Sequence, residues 1–202
     1  LECGILAHGF ARARCPECGH DFLVAFSCKG RGVCFSCNAR RMVETAAHLV
    51  DHVFPPLPVR QWVLSLPKRL RYFLRQDRRT VTVVLNILLR VVEQALRRHA
   101  PDSGEQGRLG AVSFVHRFGS ALNEHLHFHC CVLDGVFDPG PESGEDIRFR
   151  EAVLTAEDIQ WVQARVRQRI LRWFTRQGYL DRDDAKEMEQ WKNGGGFSLD
   201  AS

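Results

Sequence analysis

The chain has 202 residues, 45% of them hydrophobic and 26% charged, with a formal net charge of +4. That is enough chain for one well-buried domain and a small accessory module, at a composition ordinary for globular protein. No run approaches the roughly 20 apolar residues of a membrane span, and the first residues have neither the basic nor the apolar part of a secretory leader, so the default is a cytoplasmic protein with no membrane partner.

Split at residue 100, the first half holds 16 basic residues against 7 acidic ones, and the second 12 against 17. A polyanion is therefore expected to dock mainly on the first half, where Arg far outnumbers Lys and suits bidentate phosphate contacts. A solvated basic face would give the same count.

Residues 1–37 are rich in Cys and Gly with little helical period, and read as short hairpins and knuckles around a metal. Apolar residues at Met42, Ala46, Leu49, Val50 and Val53 then predict a helix over 38–53, ended by Pro55-Pro56. This pair marks the boundary between a zinc-binding module with its helix, 1–54, and a second domain, 58–202. Residues 61–66 (QWVLSL) predict a strand closed by Pro67, followed by a basic turn or short helix. Val81, Val84, Leu85, Leu88, Val92, Ala95 and Leu96 mark an amphipathic helix over 80–99.

Two β-like segments come next, 109–118 and 126–137, which could pair as a hairpin; 147–149 is a possible short strand. A helix over 155–177 has a capping pattern in Thr155 and Asp158, and Gly178 sits where a C′ glycine belongs. The tail, NGGGFSLDAS, has no assigned element. The fold class is α+β: a small four-cysteine zinc module followed by a domain of strands and helices.

Six of the eight Cys lie between residues 3 and 37, which argues against a disulfide scaffold and for a local metal module in a reducing compartment. Cys15-Pro-Glu-Cys18 and Cys34-Phe-Ser-Cys37 are two Cys-x-x-Cys knuckles 15 residues apart, the spacing by which two turns offer four thiolates to one tetrahedral zinc. Four thiolates leave no open position, so this zinc is structural. Gly19 and Asn38, each following a knuckle, can take the left-handed conformation that turns backbone amides toward sulfur. A redox Cys-x-x-Cys would need a strand-to-helix context that is absent. Cys3 and Cys28 are buried small hydrophobes, replacements for a knuckle Cys, or ligands of a second site. Cys130 and Cys131 read as strand filler.

His125-Leu126-His127-Phe128-His129 alternates imidazole with apolar side chains. On a strand this sets three His on one face, successive ones roughly 6 to 7 Å apart, while Leu126, Phe128 and Cys130 enter the core. A His-x-His pair can bind one divalent ion and leave positions for substrate or water. A metallo-β-lactamase-like site would need an Asp-His after the pair, where Cys131 and Val132 stand. A carbonic-anhydrase-like site would need a distant third His, for which His116 is the nearby candidate.

The SCKGRGVCFSC region, VRQWVLSLPKRLRY, LHFHCCVLDGVF and the WKNGGGFSLDAS tail together resemble the rolling-circle transposases of the HUH, two-tyrosine type, including the insertion-sequence common-region group. The resemblance implies an antiparallel-sheet HUH-endonuclease-like core with packed helices, His127 and His129 as ligands of a catalytic Mg2+ or Mn2+ with His125 their neighbour, and Cys15, Cys18, Cys34 and Cys37 as ligands of structural Zn2+. It also implies single-stranded DNA at transposon ends as the partner, in a bacterial, nucleoid-associated setting, nicked and rejoined through a phosphotyrosine. Arg40, Arg41, Lys68, Arg69 and Arg71 are candidate DNA contacts.

Only Tyr72 and Tyr179 are present, neither in a Tyr-x-x-x-Tyr helix, and both read as packing residues. The attacking tyrosine is expected beyond Ser202 in a chain cut at both ends, so this chain is expected to bind DNA and metal without cleaving. The alternatives are a non-catalytic zinc-module DNA-binding protein, which has no use for three aligned imidazoles, and a zinc hydrolase of small molecules, which has no salt-dependent DNA affinity.

Overall fold

The computed structural model describes residues 4–27, 35–100, 106–119, 123–138, 147–191 and 196–202, with 35–37 by backbone alone. The chain is α+β and divides into two compact units, Leu1–Pro56 and Leu57–Ser202. Among the described residues, no helix is long and apolar enough to cross a membrane.

In the first unit, β1 (Phe10–Arg14) and β2 (Asp21–Ala25) form an antiparallel hairpin in register from Phe10 opposite Ala25 to Arg14 opposite Asp21. Helix α1 (Phe35–His48) runs on into a π-helical turn, Leu49–Val53. The expected helix over 38–53 is thus present, but its apolar residues form no interior: Met42 and Val50 are 65% and 70% exposed. None of the described residues of this unit is buried. A unit of this size without a hydrophobic centre needs another staple, such as a metal. Asn38 lies inside α1, so the left-handed turn expected there does not form.

The second unit is built on a four-stranded antiparallel sheet in the order β4-β5-β3-β8, comprising β3 (Val59–Ser65), β4 (Ala111–Phe118), β5 (Glu124–Leu133) and β8 (Ser198–Ala201). Strand β5 lies between β3 and β4. Trp62 and Leu64 of β3 and Leu126, Phe128, Cys130 and Val132 of β5 bury one face in a single core. That core includes Val84, Leu88, Val92 and Leu96 of α3 (Arg78–His99) and Val162, Val166, Ile170 and Phe174 of α4 (Ala156–Arg176). Both helices carry apolar residues at three- and four-residue spacing, which suits them to cover a pleated apolar face.

Local chemistry sets the element ends. Pro67 cannot continue β3, and α2 (Lys68–Gln76) starts directly after it. Asp77 ends α2 and caps α3, its carboxylate accepting from the Arg79 amide at 2.8 Å, so α3 begins two residues earlier than the expected helix over 80–99. The expected strand over 126–137 is two strands: β5 stops at Leu133, and β6 (Gly135–Asp138) turns away to pair with β7 (Arg148–Glu151). Asp134 at the break takes a bidentate ion pair from Arg60 of β3, at 3.0 and 3.1 Å. Gly135 is required there, since a Cβ would stand 2.3 Å from the Arg150 carbonyl oxygen.

Two elements had no sequence signal. Helix α5 (Arg182–Gln190) is highly polar and anchors through Met188, and β8 adds four residues of the tail to β3, with Gln61 and Ser202 exchanging backbone hydrogen bonds at 2.7 and 3.0 Å.

The capping box on α4 is complete. Asp158 accepts from the Thr155 amide at 2.9 Å and the Thr155 hydroxyl at 2.8 Å, and lies 2.7 Å from His99 Nε2. The Thr155 amide first, then the Thr155 hydroxyl and His99, hold the Asp158 carboxyl below its ordinary value. A depressed native value means that stability is present above the ordinary carboxyl pKa and is lost as the pH falls through the native one. Asp158→Asn is expected to cost about 1 kcal/mol at pH 7 in urea melts. The difference from the parent should shrink as the pH falls below about 4.

Candidate metal centre

Strand β5 alternates with the two-residue period of a pleated strand. With Leu126, Phe128, Cys130 and Val132 buried in the core, His125, His127 and His129 fall on the other face, each half-buried. The antiparallel register with β4 then sets His116 directly opposite His127. Their rings are 5.1 Å apart, His116 stacks on His129 at 4.5 Å, and His127 meets His129 at 5.0 Å. One nitrogen from each of His116, His127 and His129 lies within 4.8 Å of the others, a grouping that could hold one metal ion.

His125 is stacked on His127 at 5.0 Å but stands outside that grouping. His116 was visible in the sequence as a distant third histidine, and a β4–β5 hairpin was anticipated. What spacing could not supply was the register, since a shift of one residue would send His116 into the opposite face.

Hydrogen bonds orient the rings. Nδ1 of His127 donates to the His125 carbonyl oxygen at 2.7 Å, which leaves Nε2 with its lone pair free. Nε2 of the Gln61 side-chain amide on β3 lies 3.1 Å from Nδ1 of His129, so as placed the amide donates to Nδ1 and the ring proton sits on Nε2. A half-turn of the amide presents its oxygen instead, so that Nδ1–H donates and Nε2 is free to coordinate. Gln61 is therefore a positioning residue for His129.

Burial, followed by the neighbouring His127, lowers the pKa of His116; burial, then His116 and His127, lowers that of His129. Both rings are held in the neutral form a metal requires. His125 is also lowered, by burial first and next by the positive charge of Arg71, which brings that guanidinium to the end of the histidine row. Arg71 is fixed by its Nε donating to the Leu66 carbonyl at 2.5 Å.

Of the other expected DNA contacts, Lys68 is exposed at the start of α2, Arg69 is ion-paired with Asp184, and Arg40 is ion-paired with Glu44 at 2.7 Å. Arg41 is exposed on α1. Tyr179 packs as expected, stacked on Phe73 at 4.8 Å. Tyr72 does not: it is 56% exposed, with Arg75 over its ring at 5.6 Å.

In the first unit, Cys15 closes β1 and Cys18 ends the turn that follows. Gly19 sits at φ +71°, in the left-handed conformation expected, and its amide donates to the Cys15 carbonyl at 3.0 Å. The Cys18 and Glu17 amides bond the Cys15 sulfur and, with the Cys18 thiol, lower its pKa toward the thiolate. A sulfur cradled by successive amides fits a metal knuckle. Cys37 lies in the first turn of α1, whereas Cys3, Cys28 and Cys34 lie outside the described residues. Cys130 is buried beside Ser113 and Cys131 is half-buried.

The family described as "Transposase zinc-binding domain" matches residues 1–66, and the family described as "Putative transposase" matches residues 110–202. A curated relative, "Putative transposase y4qJ" of Sinorhizobium fredii (strain NBRC 101917 / NGR234), is 28% identical over 140 residues, covering 68% of this chain and 33% of that protein. This chain thus spans about a third of the length of the relative it matches. No solved structure matches it. The chain is thus similar to a transposase zinc-binding domain through its first unit and to transposases through the larger part of its second.

Gln61→Leu, at an exposed position, is expected to weaken divalent-ion binding about tenfold with the melting temperature kept, as read by calorimetric titration with manganese. Cys15→Ser is expected to release zinc and unfold the first unit, with the cooperative melt of residues 57–202 retained; zinc content and circular dichroism check both halves of that outcome.

Proposed function

We propose that this chain is the zinc-module and metal-centre portion of an HUH-type single-strand DNA endonuclease and strand transferase acting at transposon ends. The observation that carries this reading is the convergence of His116, His127 and His129 on one rigid sheet face, with Arg71 at the end of their row. Two of the three are the ligands the His-x-His strand suggested; His116 joins them, and His125 is assigned to substrate rather than metal.

The donor set bears on the choice of ion. Three imidazoles, with no carboxylate in the grouping, suit ions that accept nitrogen ligands, such as zinc, iron or nickel; of the two ions the resemblance implies, manganese tolerates imidazole better than magnesium. A bound ion would supply Lewis acidity at a phosphodiester oxygen. The protein's part is to hold His116 and His129 neutral, to fix His127 through the His125 carbonyl and, with its amide oxygen turned inward, Gln61 against His129, and to offer Arg71 to a phosphate.

The reaction itself needs neither oxidant nor water. A tyrosine phenol gives up its proton as its oxygen bonds to phosphorus. The bond from phosphorus to the 3′ oxygen breaks, and that oxygen takes up a proton, leaving a 5′-phosphotyrosine and a free 3′-hydroxyl. Attack by a 3′-hydroxyl on the phosphotyrosine reverses the step and rejoins the strand. Tyr179 is engaged in ring packing and the exposed Tyr72 lies beneath Arg75 with no second tyrosine on its helix, so the attacking tyrosine is proposed to lie in the part of the relative's length that this chain does not span.

The test is manganese titration of the zinc-loaded chain. His116→Ala, His127→Ala and His129→Ala are each expected to lose binding by about tenfold or more, while His125→Ala retains it. Equal binding by parent and all four variants would sink the metal centre and leave a zinc-module DNA-binding protein as the better account.

A further inference from the structure

The second half of the chain carries an acidic excess, yet its acids are unevenly placed. From residue 159 to residue 180 there is no Asp or Glu, and five Arg fall in that stretch of α4. Arg165, Arg169, Arg172 and Arg176 are spaced by four, three and four residues, which lines them along one face of a helix. The row is about 16 Å long at the rise of an α-helix. Val162, Val166, Ile170 and Phe174 of the same helix belong to the core on the sheet face opposite the histidines, so this row lies on the helix side of the sheet, along the flank of α4.

Among the described residues, these charges are not compensated by carboxylates. Among the described residues, none of these four Arg, nor Arg90 on the neighbouring α3, forms an ion pair with a carboxylate. Arg165 donates to Gln168 and Arg169 to Gln94, both at 2.8 Å and both to neutral amides. The crowding is felt: burial first, then Arg165, Arg172 and Arg90, lower the pKa of Arg169. At its far end the row runs into a cleft of about 420 Å³ between α4 and α5, where Arg172, Arg176, Arg182 and Lys186 outnumber the single carboxylate, Glu189.

We infer that this arginine row is a second polyanion-binding surface, on the side of the second unit away from the histidine centre, and that its occupant is the phosphate backbone of double-stranded DNA. The choice of duplex over single strand follows from the rings. Single strands are held by stacking bases on open aromatic faces. Here the aromatic residues of α4 are already engaged, Trp161 beneath Arg98 at 3.9 Å and Trp173 against Phe174 and Tyr179. A straight row of guanidiniums meets a duplex carrying a charge every roughly 1.7 Å of its axis whatever the sequence, so this surface fixes position and leaves sequence unread. The inference does not depend on the metal centre.

The experiment compares the zinc-loaded full chain with two triple variants at exposed positions, Arg165→Gln/Arg172→Gln/Arg176→Gln and the same three changed to Lys, and with His127→Ala. Binding to a 20-base-pair duplex of arbitrary sequence and to a 20-nucleotide single strand is followed by fluorescence anisotropy over a salt series. The Gln variant should bind the duplex about tenfold more weakly, with a salt slope shallower by about 2 to 3, since each phosphate contact contributes about 0.9. The Lys variant should restore most of the affinity, which excludes a folding defect, and His127→Ala should bind the duplex like the parent. Duplex affinity and slope unchanged in the Gln variant would overturn the inference, as would a loss confined to the single strand.

Discussion

The two-residue period of β5 is the constraint on which the second unit depends. Burying Leu126, Phe128, Cys130 and Val132 against α3 and α4 is the same act that raises three imidazoles on the opposite face, so the hydrophobic effect that folds the unit also aims its histidines. The central place of β5 fixes the rest, with β4 contributing His116 from one side and β3 contributing Gln61 from the other. The register shift between His116 and Phe118 comes just beyond the histidine, where pairing no longer has to hold a ring in place.

The first unit is organised on a different physical basis. Its described residues bury nothing, and order is visible where amides converge on the Cys15 sulfur and where Gly19 takes a conformation that costs other residues strain. A matched zinc-binding family over residues 1–66 agrees with a unit whose stability comes from coordination rather than from a core. The two units therefore differ in what would disrupt them: a chelator for one, loss of apolar burial for the other.

Much of this was legible in the sequence. The stripes of α3 and α4, the Thr155 and Asp158 cap and the alternation of β5 are local, short-period signals, and the structure keeps them. Residues 126–137 read as one strand because apolar character continues past Asp134, whereas the break depends on a distant ion pair from Arg60 and on a close approach at Gly135. Helix α5 and β8 were invisible because a nine-residue polar helix with one buried Met188 and a four-residue edge strand carry too little period to register. The cluster was half legible: the His-x-His strand was plain, but His116 joins it only through the antiparallel register. The arginine row was masked by averaging charge over half the chain, which merges a basic helix with acidic residues that stand elsewhere.

The donor set of the histidine grouping has an electrical consequence. Three uncharged rings cancel none of the charge of a divalent ion, so an occupied centre would carry the full double charge on a partly buried sheet face with Arg71 close to one end. A carboxylate-rich centre of the same size would be nearly neutral and indifferent to small anions. This one is built as an anion trap: it would draw in inorganic phosphate or sulfate as readily as a phosphodiester. Simple salts of that kind should therefore compete with DNA phosphates for the occupied centre at concentrations where chloride does nothing beyond screening.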